Sequence, residues 1–318
     1  MITNAEFEKL TDPFRRELLA HCYRMLGSLQ DAEDLVQETY VRAWRSYDRF
    51  EGRSSLRVWL YKIATMACLT ALESRKRRPL PSDLQAASTD PAQSLGSWER
   101  GMTWLEPIPD ALITAPTDDP GALTVSRASV RLAFVAALQT LSARQRAVLI
   151  LRDVLAWRAA EVAELLDTTT DAVNSSLRRA RRQLARSNVV EDDLEDPIEA
   201  ELRAIVDRYV DAFERADVAA LVGLLRDDVE LEMPPTPTWF AGRDAVVGFL
   251  ATRLRGPGGW RMVPSRANGQ PAAVMYERGA HGYDAHGVAV FTFVEERIAR
   301  ITLFLDAALV PYFERSPD

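Results

Sequence analysis

The chain has 318 residues, of which 47% are hydrophobic and 27% charged, and its formal net charge is −7. This composition is ordinary for a globular protein and excludes a fibrous or wholly disordered chain, and the length allows two or three domains with their own cores. The N-terminus has no cationic start followed by an apolar run, and no stretch reaches the roughly 18 apolar residues of a membrane span, so we expect a soluble cytoplasmic protein.

The charge is distributed unevenly along the chain. It is +3 over residues 1–81, −6 over 82–124, +6 over 125–190 and −10 over 191–318. Two basic modules separated by an acidic linker and followed by an acidic domain indicate that only the two basic modules bind nucleic acid. The acidic parts could also fold back on the basic modules.

The first basic module contains three predicted helices. A helix over 5–27 is followed by an amphipathic helix over Asp31–Tyr47, whose outer face carries an acidic stripe. A polar loop over Asp48–Ser55 leads into a further helix that ends in the basic run 75–78, where Pro79 stops it. An acidic helix beside a basic one predicts two partners of opposite charge, although either helix could be an ordinary solvated core helix.

Two contiguous motifs resemble known segments. D-A-E-D-L-V-Q-E-T-Y-V-R-A-W is similar to the segment of extracytoplasmic-function sigma factors that docks on the clamp of the largest subunit of core RNA polymerase. F-E-G-R-S-S-L-R-V-W-L-Y-K-I-A resembles the adjoining promoter-melting segment. The resemblance implies that the polymerase is bound by Asp31, Asp34, Gln37 and Glu38. It implies that an unpaired base of the −10 element is bound by Arg53, Ser54, Ser55, Arg57, Tyr61 and Lys62, which would supply the hydrogen bonds, stacking and positive charge that such a base requires.

The acidic linker over 81–124 contains an apolar island. Tryptophan and aliphatic side chains are costly to leave in water, so we expect this island to dock on a domain. Its core, W-L-E-P, resembles a W-L-x-P motif in the linker of sigma factors that carry a C-terminal SnoaL-like domain. The resemblance implies a regulatory segment formed by Trp104, Leu105, Glu106 and Pro107. The alternative is simple anchoring on the nearest helical domain.

The second basic module, 125–190, has the pattern of a helix-turn-helix. Ser142 and Gln145 form an S-x-x-Q capping box, and Thr169 is a suitable N-cap for the last helix. The module resembles the −35-reading region of the same sigma factors, except that Asp167 stands where the family usually has Gly, and Asp tolerates the left-handed conformation. On the last helix, the predicted DNA-binding residues are Asn174, Ser175, Arg178, Arg179 and Arg182.

Residues 197–318 predict three helices against a curved antiparallel sheet. V-E-L-E-M-P-P, W-F-x-G-R-D-A-V and the closing I-T-L-F-L-D resemble the SnoaL-like polyketide cyclase family, which implies an α+β cone that could hold a small-molecule ligand. The candidate pocket residues are Trp239, Tyr276, His281, Tyr283 and Asp306. His281 and His286 flank a predicted hairpin turn, so both are expected to be exposed.

No catalytic or metal-binding pattern stands out in the chain. There is no recognisable nucleophile set or metal-ligand spacing, and Cys22 and Cys68 predict two buried thiols. We therefore expect no catalytic residue, no metal and no cofactor.

Taken together, the sequence predicts a multidomain protein with two all-α domains followed by an α+β cone. The predicted domains are 1–80 (sigma region 2), 81–124 (linker), 125–190 (sigma region 4) and 197–318 (SnoaL-like). The predicted function is that of an extracytoplasmic-function sigma factor whose activity the C-terminal domain modulates, with core RNA polymerase and promoter DNA as partners. The alternative is a helix-turn-helix regulator, fused to a ligand-binding or enzymatic domain, that acts without polymerase. The segment that resembles the clamp-docking motif favours the sigma factor.

Overall fold

A computed structural model describes residues 3–52, 54–74, 77–96, 102–114, 128–186 and 199–314. The chain divides into two compact units, each built from two separate stretches of sequence. The first consists of Met1–Arg78 and Leu112–Val189, and the second of Pro79–Ala111 and Val190–Asp318.

The helices of the described residues are numbered in chain order. They are α1 (Asn4–Thr11), α2 (Arg15–Leu26), α3 (Leu29–Ser46), α4 (Leu56–Glu73), α5 (Asp110–Ile113), α6 (Leu132–Leu138), α7 (Ala143–Leu149), α8 (Ala159–Leu165), α9 (Thr170–Leu184), α10 (Glu199–Glu214), α11 (Val218–Leu224), α12 (Arg243–Arg253) and α13 (Val310–Glu314). Each of them is too short or too polar to cross a bilayer.

Side-chain caps fix the helix ends of the first unit. The Ser28 hydroxyl accepts a hydrogen bond from the Asp31 amide and begins α3, and Ser55 caps α4 in the same way. Gly27, with φ +70°, ends α2 in the left-handed conformation that glycine adopts without a Cβ penalty. The predicted capping box of Ser142 and Gln145 at the start of α7 is confirmed.

Helices α2, α3 and α4 pack together through fully buried side chains such as Leu18, Tyr23 and Leu60. Cys22 and Cys68 are buried in this core as thiols that are not joined in a disulfide, as predicted. The large apolar side chains place the core between the three helices, so the charged residues of α3 lie on its outer side.

The second stretch of this unit contains the helix-turn-helix. After α7 the chain makes a π turn over Ile150–Val154 before α8 and α9 follow. Asp167 lies between α8 and α9 with φ +49°, so the left-handed turn predicted at this residue is present. Thr169 caps α9 by accepting from the Ala172 amide, and the buried side of α9 includes Val173 and Leu177.

The second unit combines helices α10 to α12 with one six-stranded sheet in the order β2-β1-β6-β5-β4-β3. The strands are β1 (Leu225–Glu232), β2 (Trp239–Ala241), β3 (Trp260–Ala267), β4 (Gln270–Arg278), β5 (Tyr283–Val294) and β6 (Arg297–Phe304). The prediction of an antiparallel sheet is wrong at one pair, since β1 and β6 are parallel. Their connection contains a helix and four strands, which gives the length that a parallel crossover needs.

Aromatic residues fill the space between the helices and the sheet. Tyr209 and Phe213 of α10 stack with ring centroids 5.9 Å apart, and Tyr209 meets Phe291 of β5 edge to face at 5.0 Å. These rings belong to a buried cluster that also contains Phe249 and Trp260. The face of the sheet that packs against the helices therefore carries much of the hydrophobic core. An internal pocket would have to be lined by this same face.

Candidate functional sites

The predicted polymerase-binding residues lie on α3 in two different environments. Asp34 and Gln37 are exposed, and Glu38 is half-buried and accepts a hydrogen bond of 3.1 Å from Arg42 Nε. Asp31 instead accepts from the guanidinium of Arg78, and the two side chains are only 18% and 11% exposed. The anionic surface that a partner can reach therefore centres on Asp34, Gln37 and Glu38.

The outer face of α3 continues into apolar residues that the sequence reasoning missed. Val41 and Trp44 follow the acidic residues at helical spacing, and they are 48% and 37% exposed. Phe7 supports Trp44 edge to face at 5.2 Å. Such large exposed side chains beside an acidic stripe indicate that the contact surface is half anionic and half apolar.

The predicted −10 residues do not form one exposed set. Ser54 and Lys62 are exposed, Ser55 is occupied as the cap of α4, and Arg53 lies outside the described residues. The Arg57 guanidinium donates from Nε to both carboxylate oxygens of Glu17, at 2.9 and 2.8 Å. Hydrogen bonding to Glu17 raises the pKa of Arg57 further, so its charge is paired within the unit.

Tyr61 is fully buried in this conformation, so it is not accessible to a base. Its hydroxyl lies 3.3 Å from Glu17 Oε2, and burial raises the pKa of this hydroxyl. The ring lies 5.1 Å from that of His21 and 5.6 Å from that of Trp157. Arg57 and Tyr61 both contact α2 because they are one turn apart on α4 and lie on the side that faces α2.

His21 shares this buried cluster but carries no charge. Its Nε2 lies 2.9 Å from the Thr65 hydroxyl oxygen. Complete burial, reinforced by the positive charge of Arg24, lowers the pKa of His21 to about 3. The imidazole is therefore a neutral part of the core.

The predicted −35 residues lie together on the outer face of α9. Asn174, Arg178, Arg179 and Arg182 are exposed, while Ser175 is half-buried and accepts from Arg179 Nη1 at 3.0 Å. Four of the five predicted groups can thus reach base edges or phosphates in a groove.

Arg181, on the flank of α9, has a different role. It forms a two-pronged contact with Asp153 of the π turn, with N–O distances of 2.9 and 2.7 Å. The pair is exposed and contributes little to stability, but it orients the end of the π turn against α9.

The apolar island of the linker is part of the second unit. Trp104 is 6% exposed, and Leu105 and Ile108 are fully buried. The backbone of Ile108 is paired with Asn268 at the β3-β4 turn: its amide donates to Asn268 Oδ1 at 3.0 Å, and its carbonyl accepts from the Asn268 amide at 2.9 Å. Asp110 then accepts from the Gly269 amide at 2.7 Å. We call this contact of residues 108–110 with the β3-β4 turn the linker clasp.

The beginning of the linker is held at a second place in the same unit. The Ser82 amide donates to Glu232 Oε1 at 3.1 Å, and Trp239 Nε1 donates to the Gln85 carbonyl at 2.8 Å. Glu232 is fully buried, which raises its pKa by desolvation. The linker is therefore bound to the C-terminal sheet at two places, near residue 82 and at residues 108–110.

The five candidate pocket residues have separate partners or are exposed. Trp239 on β2 binds the linker, Tyr276 on β4 donates to Glu314, and Tyr283 donates to the Gly258 carbonyl at 2.9 Å. His281 and Asp306 are exposed, and Asp306 caps the turn that precedes α13.

The prediction that His286 is exposed is wrong. Its ring lies edge to face with Trp260 at 4.8 Å, and Nδ1 is 3.7 Å from Glu277. A bulge in the β4-β5 pairing turns it toward the core, where burial lowers its pKa. Within the described residues, no three His, Cys, Asp or Glu side chains are placed to hold a metal ion.

Comparison with protein families gives three matches along the chain. Residues 10–78 match Sigma-70 region 2, residues 131–184 match Sigma-70 region 4, and residues 206–301 match the SnoaL-like domain. The two helical modules and the α+β unit thus correspond to three known domain types in this order.

Similar proteins carry the same combination. The chain is 49% identical over 312 residues to ECF RNA polymerase sigma factor SigG of Mycobacterium tuberculosis, covering 97% of this chain and 83% of that protein. It is 29% identical to SigJ of the same organism, over 94% of this chain and 87% of SigJ. The crystal structure of SigJ superposes with a TM-score of 0.61 at 25% identity, covering 99% of this chain and all of that one.

The chain belongs to the extracytoplasmic-function sigma factors of RNA polymerase, and within them it has a C-terminal SnoaL-like domain. This assignment makes the protein a transcription factor and favours the sigma factor over a helix-turn-helix regulator that acts without polymerase.

Proposed function

We propose that the chain binds the clamp of core RNA polymerase through the exposed outer face of α3 and directs initiation at promoters that it reads through α9. The observation that supports this best is the presence of both surfaces in one compact unit: an anionic face with Asp34 and Glu38, and a helix that exposes Arg178 and Arg182. A repressor that acts alone needs only the second. The clamp contact would combine charge complementarity with burial of Val41.

Within this proposal, residues 1–80 melt and hold the −10 element, and residues 125–190 read the −35 element. Ser54 and Lys62 are available for the first task in the observed conformation. Tyr61 would take part only after a rearrangement that uncovers it, and Arg57 only after it leaves Glu17.

The SnoaL-like domain is proposed to act on the sigma modules through the linker and not as an enzyme. The support is that the linker is bound to this domain at two places, through Ser82 and through the linker clasp. Anchoring the chain near residues 82 and 108 shortens the free tether between the −10 and −35 modules. Three of the candidate pocket residues, Trp239, Tyr276 and Tyr283, donate hydrogen bonds within the chain, and the proposal assigns no small-molecule ligand to them. The proposed place of action is the cytoplasm, where the polymerase transcribes.

Run-off transcription with purified core polymerase tests the proposal. The template is a library of fragments randomised over the −35 and −10 positions, and the transcripts are sequenced. We expect enrichment of templates that share two motifs at a fixed spacing, and none with core polymerase alone. Transcripts without sequence enrichment would contradict the proposed function.

A further inference from the structure

The two stretches of the first unit meet directly over Tyr61. Trp157, in the turn that precedes α8, is 6% exposed, and its ring centroid lies 5.6 Å from that of Tyr61. The Trp157 amide donates to the Leu151 carbonyl at 2.9 Å, and its own carbonyl accepts from Arg152. The indole is thus positioned by its own helical module, and it covers an aromatic ring that belongs to the other module.

The charge beside Tyr61 is paired within its own module, although the Arg57 side chain is 40% exposed. The Arg57 guanidinium lies 5.0 Å above the Tyr61 ring and is paired with Glu17 through Nη2 at 2.7 Å. A phosphate that approached Arg57 would meet the Glu17 carboxylate as well, and like charges repel. Aromatic and cationic groups with the chemistry for an unpaired base are therefore both occupied.

Two buried guanidinium groups hold the modules in this arrangement. Arg24 of α2 donates from Nε to the Ser129 carbonyl at 3.2 Å and from Nη2 to the Ser129 hydroxyl at 2.8 Å. In the opposite direction, Arg146 of α7 donates from Nη1 to the Met25 carbonyl. The contact therefore has a fixed register, with a donor from each side.

The acceptors of these two cations make the contact reversible. Across the contact, Arg24 and Arg146 donate to neutral oxygens, and burial lowers the pKa of both groups to about 10, so both remain charged near neutral pH. A buried cation without a carboxylate regains hydration when it is exposed. The free-energy cost of separating the modules is then offset in part by hydration of the two guanidinium groups. A purely apolar contact would provide no such offset.

We propose that this contact is autoinhibitory: Trp157 of the −35 module covers Tyr61 of the −10 module, and the modules must separate before an unpaired promoter base can reach the Tyr61 ring. The inference rests on the proposed function. In the closed conformation Arg178 and Arg182 stay exposed on α9. The closed protein can therefore contact −35 DNA while Tyr61 of its −10 surface is covered.

Two variants of the full-length chain open the contact from opposite sides. Trp157→Ala removes the covering ring, and Arg24→Gln removes the guanidinium from α2 without changing the helix-turn-helix. Lys9→Gln, which removes a positive charge from the exposed surface of α1, is the control. Hydrogen exchange of residues 57–65 is measured in the free proteins, and transcription is measured with core polymerase on templates selected by the wild-type protein.

We expect both opening variants, and not the control, to raise exchange over 57–65 by about tenfold and transcription by a similar factor, which corresponds to a loss of about 1.4 kcal/mol in the closed state. Increased exchange with unchanged or lower transcription in both variants would overturn the proposal while the proposed function stands. Unchanged exchange in Arg24→Gln would overturn it as well. If the wild-type protein itself supports no transcription, the proposed function fails and the autoinhibitory role fails with it.

Discussion

Two carboxylates on α3 that are three residues apart have different surroundings. Asp31 is paired with Arg78 and is largely shielded from water, whereas Asp34 is exposed. A shielded carboxylate contributes to stability through its partner, and an exposed one is available to another protein. Asp31 therefore contributes to the stability of the fold, whereas Asp34 is accessible to another protein.

Asp34→Lys is expected to weaken binding to core polymerase by about 1 to several kcal/mol, because it places a positive charge against a cationic clamp. Its melting temperature should stay near that of the wild type, since the side chain is exposed. Asp31→Asn should behave in the opposite way, losing about 1–3 kcal/mol of stability because Arg78 loses a charged acceptor. Fluorescence anisotropy with core polymerase and chemical denaturation distinguish the two. Equal loss of polymerase affinity in both variants would contradict the assignment of Asp34 to binding and Asp31 to stability.

Arg178 and Arg186 provide a similar comparison at the DNA surface. Both are exposed, but Arg178 lies in the middle of α9 and Arg186 lies beyond its end. Arg178→Ala should cost about 1–3 kcal/mol and relax base preference at one −35 position, and Arg186→Ala should weaken binding to all sequences alike. Sequencing of bound DNA from a randomised library measures both effects. Identical sequence profiles would show that α9 only follows phosphates.

At the scale of elements, the linker clasp joins an acidic segment to a hairpin turn. Asn268 has φ +58° and serves two purposes, because it forms the turn with Gly269 and offers its side chain to the Ile108 amide. The two purposes can be separated, since glycine adopts the same backbone conformation without a side chain.

Asn268→Gly should therefore preserve the β3-β4 turn and release the linker. The Ile108 amide loses its buried acceptor, which costs about 1–3 kcal/mol. Hydrogen exchange over residues 102–110 should rise while that of β4 stays unchanged. Asn268→Ala is the matched variant, because it loses the same bond and adds strain in the turn, so it should also raise exchange in β3 and β4. Protection of 102–110 in Asn268→Gly would mean that the buried apolar residues alone hold the linker.

The stability of the contact at the beginning of the linker is expected to depend on pH through Glu232. Burial raises the pKa of this carboxyl above its unfolded value, so the folded state binds the proton more tightly. The stabilising contribution of the protonated Glu232 carboxyl is complete below the unfolded pKa and is lost as the pH rises through the folded pKa. Glu232→Gln keeps an acceptor for the Ser82 amide and removes this loss, so its melting temperature relative to the wild type should increase with pH above about 4.3. Parallel melting curves over pH 4–8 would contradict this expectation.

At the scale of the whole molecule, the units do not follow the order of the sequence. The linker stretch Pro79–Ala111 belongs with the C-terminal unit, although it lies between the two halves of the helical one. Removal of the C-terminal domain would therefore expose Trp104, Leu105 and Ile108, which are buried in the intact chain. A truncated protein has a new apolar segment in addition to its missing domain.

Truncation after Val189 is accordingly expected to give an aggregating protein. Replacing Trp104, Leu105 and Ile108 with serine in the truncated chain should restore a monodisperse species, because the exposed apolar area is removed. Size-exclusion chromatography with light scattering measures this. A monodisperse truncated protein without the substitutions would indicate that the segment finds another place to bury these side chains. Only the substituted form is a sound reference for the effect of the domain on transcription.

The sequence by itself determined most of the helices, several of their caps and the type of each domain, because these depend on residues close together in the chain. The helix predicted over 5–27 is the exception, since it is divided into α1 and α2 at Asp12–Phe14. The capping box of Ser142 and Gln145 and the left-handed turn at Asp167 are local, and both are present. The sequence also placed Arg178 on the outer side of its helix, since helical spacing fixes which side chains oppose Val173.

Only the tertiary structure decided which of these side chains are free. Tyr61 and Arg57 have the chemistry of base-binding groups, but Glu17, which is 44 and 40 residues away in sequence, contacts both of them. Trp157, which is 96 residues from Tyr61, covers the Tyr61 ring. The parallel pairing of β1 with β6 and the place of Trp104 likewise depend on which distant surface lies nearby. Sequence periodicity predicts which side chains share one face of a helix. Burial also depends on distant segments that come together only when the chain folds.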